Sequence, residues 1–403
     1  MDHSALEQIA HWQTAYVQAG KYAGSSVLIH QNGQERFFSA VGQRDLQRAT
    51  AFDRDTVVRL YSMTKPVTSL AVLILIERGA LRLDTPLDAI LPEFRDLQAL
   101  VVDATSAEQT AAAQIPTILQ LLTHQSGFSY AFNTGLVPEL MAANDISFGP
   151  DQGSLEQQVS ALARLPLAFQ PGEKWEYSVS IDVLGRVIEV VSGQSLDTFL
   201  RAEILDPMSM LDTGFCVRPD QIDQFAVLYS QTTGGQFDVN TVTAPSGPLQ
   251  DVDDAGRSPF LDTTLFSGGG GLVGTIDDYA KFANMLLHNG NVGGHQLVSP
   301  KTAQIMRRNH LPSEIADMGP TSFAEQPMRG MGFGLGGSVL LDQKRAQTSG
   351  SVGDFSWGGI ASTYFWIDPK RQLSIVFFTQ LLPSSAYPSR GELKTLVDQA
   401  VSP

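Results

Sequence analysis

The feature that most constrains this chain is a serine followed three residues later by a lysine, at the start of a long apolar run. Ser62 and Lys65 precede the segment 70–76, in which every residue is apolar. Residues three apart share one face of a helix, so the hydroxyl and the amine can meet. An apolar setting favours the neutral, basic amine, which makes Ser62 a candidate nucleophile. The alternative is a helix-capping serine beside a solvated lysine.

The length and composition are those of a globular protein with a sizeable core. The chain has 403 residues, of which 43% are hydrophobic and 17% are charged, and this suits two lobes or one large α/β unit. The net charge of −15 argues against nucleic acid or an anionic membrane surface as a partner. The single cysteine, Cys216, excludes an internal disulfide and favours the cytosol slightly.

No segment predicts export or membrane insertion. Residues 1–11 have neither the basic nor the apolar region of a signal peptide. The apolar run 70–76 is far short of the ~20 residues that span a bilayer. We therefore expect a cytoplasmic protein with no membrane partner, and a homo-oligomer stays open.

Strand signals lie at both ends of the chain, and helical signals lie between them. The predicted strands are 25–30, 36–41, 336–341, 357–367 and 372–379. Helices are predicted at 4–20, 155–165, 177–191, 276–287 and 390–401, and loops at 230–275. This order predicts an α+β fold, with one antiparallel sheet built from both chain ends, flanking helices and an inserted, mainly helical region. The predicted domains are 1–85 with 216–403, and 86–215, with the active site at their interface.

Three further segments carry groups that could line or serve a site. Residues 128–153 are irregular and rich in aromatics, including Phe128 and Tyr130, which indicates either a pocket wall or core cover. Tyr177 lies at a loop-to-helix junction, where its phenol can point into a cleft. The glycine pair after Trp357 would let a ligand approach the backbone closely. The alternatives are a core phenol for Tyr177 and a packed sheet residue for Trp357.

Other common catalytic arrangements are not supported. The chain has no Gly-x-Ser-x-Gly motif, so a nucleophile elbow is not predicted. Its seven histidines show no zinc-binding spacing, and we expect neither a metal nor a cofactor. His124 follows a short helix and is interpreted as a structural histidine, and Cys216 is interpreted as inert.

Four motifs occur in an order that resembles the serine β-lactamase-related superfamily, and most closely its family VIII carboxylesterases. They are Ser62–Lys65 (SMTK), Leu121–Gly127 (LLTHQSG), Tyr177–Val179 (YSV) and Trp357–Gly359 (WGG). Together they span nearly the whole chain. The resemblance implies a β-lactamase-like fold and acyl transfer through a covalent serine ester.

The resemblance also implies a role for each matched residue. Ser62 would be the nucleophile, and Lys65 and Tyr177 would share its proton, with Tyr177 the final base and the acid towards the leaving alcohol. The backbone N–H groups of Ser62 and Ile360 would bind the oxyanion. The pocket residues would be Trp357, Gly358, Gly359, Phe128 and Tyr130.

Two departures from the β-lactamases of this superfamily point to the substrate. Their Tyr-x-Asn motif has Val179 at its third position here, and their Lys-Thr-Gly motif is replaced by Trp357-Gly358-Gly359. The missing Asn would bind a substrate amide, and the missing Lys would attract a substrate carboxylate. Their loss favours neutral esters over β-lactams.

We therefore predict a serine carboxylesterase that hydrolyses short- to medium-chain acyl esters, with a small-molecule ester as its partner. An acyltransferase that passes the acyl group to an alcohol uses the same acyl-enzyme and stays open. A β-lactamase or D-peptide hydrolase, and a ligand-binding protein without catalysis, are the remaining alternatives.

Overall fold

An eight-stranded antiparallel sheet is the largest element of the computed structural model, which describes residues 1–231 and 247–401. Its strands in chain order are β1 (Gly24–Gln31), β2 (Gln34–Asp45), β3 (Thr50–Ala51), β4 (Met331–Phe333), β5 (Ser338–Leu340), β6 (Phe355–Gly358), β7 (Tyr364–Asp368) and β8 (Leu373–Thr379). Their order in space is 4-5-6-7-8-1-2-3. The C-terminal β8 thus pairs with the N-terminal β1, with Ile29 opposite Ile375. The prediction of one antiparallel sheet built from both chain ends is confirmed.

The predicted strand 357–367 is wrong in one respect, because it is two strands, β6 and β7, joined by a turn over 359–363. The Gly359 N–H donates to the Thr363 carbonyl at 2.9 Å and closes this turn. A Cβ on Gly359 would lie 2.4 Å from the carbonyl oxygen of Leu60. Only glycine therefore allows the end of β6 to approach the segment that precedes Ser62.

Helices cover both faces of the sheet and fill the middle of the chain. They are α1 (His3–Gln18), α2 (Thr64–Glu77), α3 (Ile118–Leu122), α4 (Leu136–Ala143), α5 (Leu155–Leu162), α6 (Ser180–Ser192), α7 (Leu196–Leu200), α8 (Ile276–Leu287), α9 (Pro300–Met306), α10 (Ile315–Met318), α11 (Gln343–Ala346) and α12 (Ser389–Val401). Alternate residues of β8 serve the two faces. Phe377 joins the core shared with α1 and α12, and Phe378 joins the core shared with α8.

Short ladders complete the fold. They pair Val58–Arg59 with Val273–Gly274, Gln98–Leu100 with Thr110–Ala112, Asn291–Val292 with His295–Gln296, Ser322–Phe323 with Gln326–Pro327, and Leu228–Ser230 with both Gln250–Asp253 and Leu381–Leu382. Part of the predicted loop segment 230–275 lies outside the described residues. The division into domains 1–85 with 216–403, and 86–215, stays a prediction.

Helix α2 lies at the centre of the packing and carries Lys65. It contacts α6, α7 and α9, and every residue from Thr64 to Leu75 is buried. A helix that is apolar nearly all round is stable only when it is covered on every side. Within the described residues, no helix combines the length and the apolar character needed to cross a membrane.

The central position of α2 predicts that a cavity within it is costly. Leu70 is fully buried, so Leu70→Ala should lower the free energy of unfolding by about 2–5 kcal/mol. The matched control is Leu211→Ala, because Leu211 is 60% exposed and its truncation should change stability by less than about 0.5 kcal/mol. Urea unfolding followed by circular dichroism measures both, and equal midpoints for the two variants would contradict the packing described for α2.

Candidate active site

Ser62 lies in a 3₁₀ turn, Tyr61–Met63, that leads directly into α2. Distant parts of the chain hold this turn in place. The Leu60 N–H donates to the Leu272 carbonyl at 2.9 Å, and the Tyr279 hydroxyl donates to the Met63 carbonyl at 2.8 Å. The α-helix begins at Thr64, two residues after the serine, so Ser62 is presented at the N-terminal end of α2 rather than within it.

Three side chains predicted as catalytic meet at one point. Lys65 Nζ lies 3.2 Å from Ser62 Oγ, and the Tyr177 hydroxyl lies 2.6 Å from the same oxygen. Tyr177 reaches this position from the loop that immediately precedes α6. Lys65 Nζ also donates to the Tyr130 hydroxyl at 2.8 Å and to the Gly269 carbonyl at 2.7 Å. Tyr130, predicted as a pocket residue, is therefore also a direct partner of Lys65.

Burial sets the proton affinities in this cluster. Lys65 is fully buried, and this desolvation lowers the pKa of its amine to about 7, with a smaller opposing effect from the charge of Asp182. Near neutral pH a substantial fraction of Lys65 is therefore an uncharged base. Burial raises the pKa of the Tyr177 phenol above its usual range, so Tyr177 stays protonated and donates towards Ser62 Oγ.

Asp182 belongs to the cluster and was missed from the sequence. Its carboxylate accepts hydrogen bonds from Ser267 Oγ at 2.5 Å and from the Gly269 N–H at 2.9 Å. A Cβ on Gly269 would lie 2.3 Å from this carboxylate, which explains why a glycine occupies the position. The available signal was an acidic residue between apolar neighbours in α6, where only a paired carboxylate is tolerated.

A cavity of about 190 Å³ opens onto Ser62. Its aromatic lining residues are Tyr61, Tyr130, Phe132, Phe148, Tyr177, Phe260 and Phe323. Gly358, Gly359 and Ile360 line it as predicted pocket and oxyanion residues, together with residues 147–150. Both predicted domains thus contribute to its wall, and most of the surface that they offer is apolar.

Two predicted pocket residues do not line this cavity. Phe128 is buried in the core, with its ring 5.6 Å from that of Phe94. Trp357 lies behind the wall, where its ring stacks on Phe323 at 5.9 Å and contacts Tyr177 at 5.5 Å. Both residues support the site through packing, because an inward-facing position in a loop or strand can serve the core as well as a ligand.

His124 lies beside the cluster but not within reach of the nucleophile. Its ring packs 4.9 Å from the Tyr177 ring, and its Nδ1 accepts the Ser178 N–H at 3.3 Å. Complete burial lowers the pKa of His124 well below its usual value, so the ring is neutral. It holds the segment around Tyr177, in agreement with a structural role. Among the described residues, no three His, Cys, Asp or Glu side chains are grouped to hold a metal ion.

Comparison with known proteins agrees with this geometry. The family model for β-lactamases matches residues 9–399. Esterase EstB of Burkholderia gladioli is 31% identical over 367 residues, covering 89% of this chain and 86% of EstB. A lovastatin esterase of Penicillium rubens is 29% identical, covering 89% of each chain.

A solved structure shows the same architecture. EstCE1, described as a hydrolase with promiscuous acyltransferase activity, superimposes with a TM-score of 0.81 at 27% identity, covering 98% of this chain and 99% of its own. The β-lactamase-like fold is thereby confirmed. Since the family model also spans nearly the whole chain, this protein belongs to the β-lactamase family, as a member of the serine β-lactamase superfamily that resembles the family VIII esterases.

Proposed function

We propose that this protein is a serine carboxylesterase that acts through an acyl-enzyme on Ser62. The observation that carries the proposal is that Ser62 Oγ lies within hydrogen-bond reach of both Lys65 Nζ and the Tyr177 hydroxyl. A serine hydroxyl is a weak nucleophile until an adjacent base removes its proton. Lys65 is such a base, because its burial keeps much of it uncharged near neutral pH.

The geometry supports separate roles for Lys65 as the base and Tyr177 as the acid. Ser62 Oγ attacks the ester carbonyl while Lys65 takes its proton, and a C–O bond forms. The Tyr177 phenol then donates its proton to the alkoxide that leaves as the ester C–O bond breaks, and the proton held by Lys65 restores the phenol. Water repeats the sequence on the acyl-enzyme and releases the acid. The raised pKa of Tyr177 suits it to pass protons rather than to act alone as the first base.

The developing oxyanion would be held by two backbone N–H groups. Ser62 stands at the N-terminal end of α2, and Ile360 follows the glycine pair in the turn between β6 and β7. Both residues line the cavity. Donors fixed in advance at such a position typically contribute a factor of about 10²–10³ to the rate.

The lining favours neutral esters with short- to medium-chain acyl groups. The cavity is bounded mainly by aromatic rings, and Val179 is fully buried and offers no polar group to a substrate amide. A β-lactam therefore finds less recognition than a simple ester. The proposed partner is a small-molecule ester, and cytoplasmic location and homo-oligomer formation stay predictions.

Acyl transfer to an alcohol is a second candidate function. It is favoured by the similarity to EstCE1, a hydrolase with promiscuous acyltransferase activity. An alcohol in the largely apolar cavity would compete with water for the acyl-enzyme. Turnover of a p-nitrophenyl ester with increasing 1-butanol distinguishes the two: a growing yield of butyl ester at constant p-nitrophenol release indicates transfer, and acid as the only product indicates hydrolysis.

Replacement of the nucleophile tests the assignment directly. Ser62→Ala should abolish p-nitrophenyl butyrate hydrolysis and the mass increase produced by a fluorophosphonate probe. The matched control is Ser69→Ala on α2, because the buried Ser69 hydroxyl has no hydrogen-bond partner in the part of the chain that the structure describes and should be dispensable. Activity that survives in Ser62→Ala, or a probe adduct on another residue, would refute the role of Ser62.

The lowered pKa of Lys65 predicts how the rate depends on pH. A base acts in its deprotonated form, so kcat/KM should fall as the pH decreases below about 7 and should level off above it. Lys65→Arg keeps a cation at every accessible pH and should lose activity throughout. Initial rates from pH 5 to 9 measure both effects, and a wild-type profile that is flat down to pH 5 would exclude Lys65 as the base.

A further inference from the structure

Arg390 lines the cavity, and its buried pairing with Glu325 has no part in the chemistry described so far. Arg390 is the second residue of α12, and its side chain is 5% exposed. Glu325 faces it with a side chain that is 2% exposed, and Arg390 Nε lies 3.5 Å from Glu325 Oε1. Two charges withdrawn from water are costly, and such a pair therefore calls for an explanation.

The guanidinium of Arg390 forms hydrogen bonds with the turn that contains Ile360. Its Nη2 donates to the Gly359 carbonyl at 2.8 Å and to the Thr363 carbonyl at 3.2 Å, so it binds both ends of the turn between β6 and β7. A Cβ on Gly358 would lie 2.7 Å from this nitrogen. The glycine pair thus serves the contact with Arg390 as well as the approach to Leu60.

Glu325 reaches this place from a strained hairpin. Ala324 and Glu325 form the two-residue turn between Ser322–Phe323 and Gln326–Pro327, and both have positive φ, 45° and 59°. For residues other than glycine, this conformation costs free energy. Among the described residues, neither oxygen of the Glu325 carboxylate has a hydrogen-bond partner, and burial raises its pKa to about 8. Glu325 and Arg390 are thus in close contact at 3.5 Å without a direct hydrogen bond.

The same hairpin also contacts Tyr177, the proposed acid in the reaction. The Phe323 ring packs 4.9 Å from that of Tyr177 and stacks on Trp357. One side of the hairpin therefore covers Tyr177, and its tip meets the residue that fixes the Ile360 turn.

We propose that Arg390 is a positioning residue for the oxyanion-binding backbone, and that Glu325 holds its guanidinium in place. Arg390 fixes the Gly359 and Thr363 carbonyls, which lie before and after Ile360 in the turn, and so orients the Ile360 N–H towards the cavity. The inference deepens the proposed esterase function and depends on it for its catalytic meaning. The contact itself can be tested without turnover.

The test compares Arg390→Lys and the double variant Arg390→Met with Glu325→Gln, which leaves no unpaired buried charge. The control is Lys394→Met with Asp354→Asn, because Lys394 lies one turn after Arg390 on α12 and forms a buried pair at 3.4 Å with Asp354, which directly precedes β6. Both Arg390 variants should lower kcat by roughly 10- to 1,000-fold, with KM within about threefold, because a misplaced oxyanion donor affects mainly the transition state. A trifluoromethyl ketone inhibitor should weaken by a similar factor, and the control pair should retain kcat.

Hydrogen exchange supplies a measurement independent of turnover. Amides of residues 359–363 should exchange faster in the Arg390 variants than in the control pair, while peptides of α2 stay unchanged. Exchange and kcat that match the control would overturn the inference, and so would a rise in KM alone, which would make Arg390 a substrate-binding residue. If wild-type protein hydrolyses no ester, the proposed function fails, while the exchange comparison still decides whether Arg390 holds the turn.

Discussion

The burial of a single amine is the constraint on which this site depends. Lys65 Nζ has three oxygen partners: the nearby Ser62 hydroxyl, and the Tyr130 hydroxyl and Gly269 carbonyl from distant parts of the chain. Withdrawal from water lowers the pKa of the amine, so that much of it is uncharged and can accept a proton. The three oxygens orient its hydrogens and its lone pair. The apolar run of α2 excludes water from this position, so the residues that stabilise the core would, in the proposed mechanism, also activate Ser62.

The balance between Lys65 and Asp182 is delicate for the same reason. A fully ionised carboxylate close to the amine would hold Lys65 in its cationic form and remove the base. Burial raises the pKa of Asp182 while the charge of Lys65 lowers it, and the Ser267 hydroxyl and the Gly269 N–H stabilise its ionised form. Asp182 thereby orders the segment 267–269, whose Gly269 carbonyl accepts a hydrogen bond from Lys65. Its effect on the pKa of the Lys65 amine is secondary.

The sequence predicted those parts of the structure that depend on local pattern. Hydrophobic periodicity located α8 at 276–287, and the strand signals at both ends predicted the sheet. The spacing of Ser62 and Lys65 indicated that a hydroxyl and an amine could meet, since i and i+3 share a helix face. The position of Tyr177 at a loop-to-helix junction made it a candidate, but its catalytic role came only from resemblance to a family, because it lies far from Lys65 along the chain.

What the sequence did not predict depends on contacts between distant segments. The break between β6 and β7 follows from the approach of Gly359 to Leu60, which no local pattern contains. An aromatic-rich segment and a family motif cannot distinguish a cavity wall from the layer behind it, and so Phe128 and Trp357 were predicted as pocket residues. The Glu325–Arg390 pair joins a two-residue turn to the start of the last helix. Charged residues at such positions are usually solvated, so only their burial in the fold reveals them.

Each of the two buried clusters contributes a residue to the wall of the same cavity, Asp182 in one and Arg390 in the other. In the proposed mechanism Lys65 removes a proton, so the surroundings of Lys65 and Asp182 must permit an uncharged amine. Arg390 donates to the Gly359 and Thr363 carbonyls of the turn that, in the proposed mechanism, would face the negative oxygen. The wall that Asp182 and Arg390 share is mainly apolar, so charges there are screened less than in bulk water. A change in charge at either place should therefore act across the cavity. Arg390→Lys keeps the positive charge there, and Arg390→Met removes it.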